Sequence, residues 1–199
     1  MEPPRSAPIA LVTKDHTNAA LSESARYASV GHSNRSLSDF LDILRHADIG
    51  LVVDVRSFPR SRSNPAFNID RLPGDLTRMR IDYCHIPALG GRRRKQPQVA
   101  ETLNAMWRIK SFQNYADYAL GDEFAEAFDD LVEMGRETRL AMMCSEAVWW
   151  RCHRRIITDH LLANSHAVDH LMGNGRIYAA RLNDGARITD ERKVIYPAA

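Results

Sequence analysis

The chain has 199 residues, 44% of them hydrophobic and 26% charged, ordinary globular values that allow a real core. A formal charge of +2 is too small to argue for nucleic acid by itself, so the placement of the charges matters more than their sum. Three cysteines and no long apolar N-terminal run fit a reduced cytoplasmic protein, and argue against a disulfide scaffold, secretion or a membrane span.

Residues 1–24 are rich in Pro, Ser, Thr and Ala without apolar periodicity and read as a flexible leader. Residues 25–199 read as one α/β domain. Tyr27-Ala28-Ser29-Val30 predicts a strand ending at Gly31-His32-Ser33-Asn34. Ser36 is a good helix N-cap with Asp39 three residues on, and Leu37, Phe40, Leu41 and Leu44 form a helical stripe. Ile49–Val55 is a nearly continuous apolar run, the mark of a strand buried on both faces of a parallel sheet.

A looser stretch, Ser61–Asn68, precedes a helix through Ile69, Leu72, Leu76 and Met79, and Ile81–Ile86 is the third strand, stopped by Pro87. The basic loop Leu89–Lys95 leads to a short helix around Phe112–Tyr118. A longer helix follows on Phe124, Phe128, Leu131 and Val132, with Asp122, Glu123, Glu126, Asp129, Asp130 and Glu133 on a solvated outer face. Leu140–Met143 is a buried strand, Cys152–Ala163 a helix and His166–Leu171 a last parallel strand. Beyond Gly173 a short edge extension is expected. This alternation predicts a three-layer, Rossmann-like α/β fold: a mainly parallel sheet with helices on both faces.

In such a sheet the loops after the strands share one rim, where ligands bind. Arg56, Arg60, Arg62, Arg92–Arg94, Lys95, Arg151, Arg154 and Arg155 all lie in those loops. Guanidinium forks match phosphate and carboxylate oxygens, so Arg56, Arg60, Arg92, Arg151 and Arg154, with His32 from the first loop, are the candidate anion-binding residues. Asp54, late in its strand, is placed to hold Arg56 or to cap a turn. Gly90-Gly91 would permit close backbone approach to a ligand, but the phosphate-loop lysine signature is absent.

The stretch from Met143 to Arg155 is the richest in chemistry. Cys144 follows its strand directly and is either a nucleophile or a buried structural thiol. Cys144 and Arg151 are separated by six residues where the cysteine-phosphatase loop has five, and the usual glycines are missing. Glu146 is either a counter-ion orienting arginines or a general base, and His153 a general acid or base. Cys152 reads as packed in the first helical turn. Trp149 and Trp150 either stack a base or plug the helix start. The spacing of Cys84, His85, Cys144, Cys152 and His153 matches no zinc pattern, so no metal is expected, and no cofactor.

Five motifs in this order are distinctive: Gly31-His32-Ser33-Asn34-Arg35-Ser36, Asp54-Val55-Arg56-Ser57-Phe58-Pro59-Arg60-Ser61, Asn64-Pro65-Ala66-Phe67-Asn68, Leu89-Gly90-Gly91-Arg92, and Met143–Glu146 with Arg151–Arg154. Together they closely resemble the bacterial domain-of-unknown-function family 488, over about residues 27–171. The resemblance implies a cytoplasmic α/β protein and no established activity. From the residues, three readings stay open. The first is an enzyme acting on a nucleotide or nucleic acid through Cys144, Glu146 and His153. The second is a non-catalytic module binding nucleic acid or nucleotide. The third is a redox sensor pairing Cys144 with Cys152. The expected partner is a phosphate-bearing small molecule or nucleic acid, with no membrane and the oligomeric state open.

Overall fold

The computed structural model describes residues 25–198, and the leader expected over residues 1–24 lies outside them. Strand β1 (Tyr27–Gly31) leads to α1 (Leu37–His46), β2 (Leu51–Asp54), α2 (Leu72–Arg78) and β3 (Asp82–His85). The helices α3 (Lys110–Tyr118) and α4 (Asp122–Glu137) then precede β4 (Leu140–Cys144), α5 (Arg154–Ala163), β5 (Val168–Gly173) and β6 (Arg176–Ala179). The sheet runs β3-β2-β4-β1-β5-β6, parallel except for the antiparallel edge strand β6.

Burial follows from the strand period of two. In β2, Val52 packs toward α1 and α2 with Phe40, Leu44, Leu72 and Leu76, while Leu51 and Val53 pack toward the opposite layer. That layer holds α3, α4 and α5 through Tyr115, Phe124, Leu131, Ile156 and Leu161. Every residue of β1, β2 and β4 is buried, which is why these strands lack polar alternation. Among the described residues strand β3 has β2 as its only neighbour in the sheet, and Asp82 is exposed there. The seven acidic residues of α4, the six expected on its outer face and Glu137, are exposed. Ser36 caps α1 by accepting from the Asp39 amide at 3.0 Å, a bond worth about 1 kcal/mol.

The topology sets up a switch point. The chain leaves β1 for β2 across one face and leaves β4 for β5 across the other, although β1 and β4 are neighbours with Gly31 opposite Cys144. Their following loops therefore diverge, and this is the switch point at which open α/β sheets bind ligands. His32 and Ser33 stitch the two loops together, their amides donating to the Cys144 and Ser145 carbonyls at 3.0 and 2.9 Å.

The predicted helix from Cys152 begins at Arg154, after a 3-10 turn over Trp149–Arg151. The tail does more than extend an edge. Two short strands, β7 (Arg187–Ile188) and β8 (Val194–Ile195), pair as a hairpin, and Tyr196 is fully buried with its hydroxyl on Asp159 at 2.8 Å. Two-residue strands carry no readable periodicity, so this part had no sequence signal. Among the described residues no helix is long and apolar enough to cross a membrane.

Candidate functional site

Arg56 is not a free anion binder. Its Nε donates to Asp54 Oδ1 at 2.9 Å, and its Nη2 donates to Asp54 Oδ2 at 2.6 Å and to the Phe67 carbonyl at 2.7 Å. The Nη1 group donates to His32 Nε2 at 3.2 Å, so four of the five guanidinium N–H groups are taken up inside the protein. The Tyr83 hydroxyl adds a bond to Asp54 Oδ2 at 2.7 Å, and burial together with Asp54 raises its phenol, keeping it a donor. His32 donates from Nδ1 to the Ser33 carbonyl at 2.9 Å and stacks on Phe67 at 4.3 Å. The loop after β1, the end of β2, strand β3 and the 3-10 turn Pro65–Phe67 are thus tied to one buried ion pair.

A second buried cluster sits across the switch point. Arg154 is 1% exposed and has no carboxylate partner among the described residues. Its Nε donates to Cys152 Sγ at 3.2 Å and its Nη2 to the Glu146 carbonyl at 2.6 Å. That carbonyl is the reason for Gly31: a Cβ there would lie 1.9 Å from it. His153 donates from Nε2 to the Val55 carbonyl at 2.9 Å, with Nδ1 facing Cys152 Sγ at 3.6 Å. The sulfurs of Cys144 and Cys152 and His153 Nδ1 lie within 4.8 Å of one another.

The two thiols differ. Interaction with Cys152, together with burial, pushes the Cys144 thiol up to about 12, so it is a protonated, shielded group. Burial also acts to raise Cys152, but Cys144 and the Arg154 guanidinium outweigh it and bring that thiol down to about 6. Thiolate character belongs to Cys152, the residue that the sequence placed in a packing role, and it is 2% exposed. The sequence could not rank the two, because the contacts of Cys152 with Cys144 and with Arg154 form only once the strand end and the helix have packed together.

The remaining site candidates face solvent in differing degree. Arg60 pairs with Asp70 at 3.2 Å on the surface, an interaction worth at most about 1 kcal/mol. Arg92 stands over the ring of Phe58 at 5.5 Å, and Arg151 is exposed at the end of its 3-10 turn. The Glu146 side chain is exposed and only its backbone carbonyl enters the buried cluster. Trp149 stacks on His170 at 4.2 Å, whereas Trp150 is 47% exposed.

Gly90 and Gly91 serve the protein's own packing. A Cβ on Gly91 would lie 2.5 Å from His153 Nδ1, over the ring face, and one on Gly90 would lie 2.4 Å from Ser57 Oγ. The close approach read from these glycines is therefore to neighbouring loops. Arg35, present in the first motif, was not singled out as a site residue. Its guanidinium donates to the Gly31 carbonyl and, at 2.6 Å, to the Met172 carbonyl, joining β1 to β5 beside an open cavity of about 740 Å³ under α1. Tyr83 and Phe67 were missed as site residues too, since each looks like ordinary core.

The family described as "Domain of unknown function DUF488" matches residues 36–161, well over half of the chain. No curated protein and no solved structure matches it.

Two outcomes follow from this geometry. Asp54→Asn leaves the Arg56 guanidinium buried without a counter-ion and should cost about 3–5 kcal/mol in urea unfolding. Burial holds His32 and His160 down to about 4 and His170 down to about 3, against an ordinary 6.5. The folded state thus resists protons that the unfolded chain accepts. The three rings' stabilisation is whole above about pH 6.5 and is lost as pH falls through their folded values, partly offset by Asp159, which burial raises to about 6. In a proton NMR titration these three rings should stay neutral at pH 5 while surface histidines titrate. A normal midpoint for His32 would refute the assignment of its Nε2 as acceptor.

Proposed function

The chain belongs to the DUF488 family, a domain of unknown function, and for it we propose a role in binding a phosphate-bearing ligand, specifically single-stranded nucleic acid, along the rim at the carboxyl ends of the parallel strands. The observation that carries this reading is the company the rim cations keep. Arg62, Arg92, Arg94 and Arg151 are exposed and have no carboxylate partner among the described residues. Beside them stand exposed aromatic rings, Phe58 at 67% and Trp150 at 47%. Exposed aromatics together with guanidinium groups free of carboxylates suit a strand whose phosphates need charge and whose bases need a stacking surface. The buried clusters brace this rim: the Arg92 amide donates to Ser57 Oγ at 3.0 Å, and Gly91 rests on the ring of His153.

Binding supports the reading more directly than catalysis does. Cys144 is protonated and buried, and Glu146 stands in solvent, so neither is poised for covalent chemistry in this state.

Fluorescence anisotropy with a labelled single-stranded oligonucleotide tests the proposal. Four phosphate contacts predict a slope of log K against log salt of roughly −3, reduced by about 1.4 in the double variant Arg92→Ala/Arg151→Ala. Phe58→Ala should weaken binding by about 1–3 kcal/mol through lost stacking. Cys144→Ala should leave it unchanged. Absence of binding at low salt, or unchanged affinity in the double variant, would sink the reading.

A further inference from the structure

The end of β4 and the start of α5 bring together three soft donors for which the rim reading has no use. We propose that Cys144, Cys152 and His153 form a binding site for a thiophilic metal ion of the zinc class, with a fourth coordination position open to an anion.

The geometry is close to what such an ion requires. Bonds of about 2.3 Å to sulfur and about 2.0 Å to nitrogen, arranged tetrahedrally, set ligand-to-ligand edges of roughly 3.5–3.8 Å. The edge from Cys152 Sγ to His153 Nδ1 is already 3.6 Å, and all three donor atoms lie within 4.8 Å of one another. Cys144 therefore has about 1 Å at most to close, within reach of a small side-chain rotation. Both cysteines are free thiols, while Cys84, on β3, stands outside the group.

The orientation of His153 is the independent observation. Its Nε2–H is held by the Val55 carbonyl at 2.9 Å, and the remaining nitrogen, Nδ1, points at the sulfurs. Metal-ligating histidines are set in this way, the far N–H anchored on a carbonyl so that the near lone pair is fixed in direction. Gly91 holds the ring from above, and no larger residue fits there without displacing it. A histidine serving only as packing needs neither constraint.

Charge defines the fourth position. A divalent ion with two thiolates and a neutral imidazole has no net charge, and Arg154, whose Nε lies 3.2 Å from Cys152 Sγ, adds one positive charge. A buried centre carrying +1 favours an anionic fourth ligand, hydroxide or an oxyanion. Loading forms two metal–sulfur bonds and one metal–nitrogen bond, and any proton still on a thiol goes to solvent. The site stands whether or not the rim binds nucleic acid, since none of its three ligands is a rim contact.

Titration of the reduced full chain with Co²⁺ alone, under anaerobic conditions, tests the site. One ion per chain should bind with the strong visible bands of tetrahedral cobalt and a near-ultraviolet thiolate-to-cobalt band. Cys144→Ser and Cys152→Ser should lose the thiolate band stepwise, and Cys84→Ser should keep it. Native mass spectrometry with Zn²⁺ gives a readout that needs no variant: one ion should stay bound per folded chain after exchange into metal-free buffer. Folded wild type that gives only the weak octahedral cobalt spectrum, a thiolate band equally strong in folded Cys152→Ser, or a folded chain that retains no zinc would each overturn the proposal.

Discussion

The Asp54–Arg56 pair is the interaction on which the rim of this protein depends. It sits at the end of a strand buried on both faces, where an unpaired carboxylate would be costly. The pair answers that cost with three side-chain contacts from Arg56, the Tyr83 hydroxyl and the backbone amide of Arg56 at 3.1 Å. Because Arg56 also reaches His32 and the Phe67 carbonyl, one charge fixes segments far apart in sequence. A buried pair of this kind adds little stability beyond an apolar replacement, but breaking one member is severe. Here the bonds to three separate segments point to positioning as its use.

Across the switch point the second cluster is built on a different balance. Arg154 has a sulfur and a carbonyl in place of a carboxylate, so its charge acts on Cys152 and draws that thiol's proton affinity down. The Glu146 carbonyl that accepts from Arg154 also presses on Gly31, which ties the loop after β4 to β1. His153 links the same loop to β2 through Val55. The two clusters meet at neighbouring loops, and the exposed cations and rings stand on that braced foundation.

Much of the architecture was legible because strong periodicities carried it. The apolar run Ile49–Val55, the stripe Leu37–Leu44 and the amphipathic helix after Asp122 each fall where the structure has them. The parallel sheet then follows from alternation of strand and helix, and with it the rim. Of the arginines, the tie of Arg56 to Asp54 was legible as one of two readings of that carboxylate, because the two are neighbours in the chain. The further bonds of Arg56 to His32 and Phe67, and the place of Arg92 over Phe58, were not. Those are set by which loops pack together, a long-range property with no local signal. The glycines misled for the same reason: Gly91 does mark a close approach, but the partner is His153.

The claim that the rim is the working surface can be tested by amide hydrogen exchange on the full chain, with and without a short single-stranded oligonucleotide at low salt. Slowed exchange is expected in residues 56–62, 90–95 and 145–151, with the acidic outer face of α4 unchanged. Protection centred on α4 or on the β7–β8 hairpin, with those three loops unaffected, would contradict it.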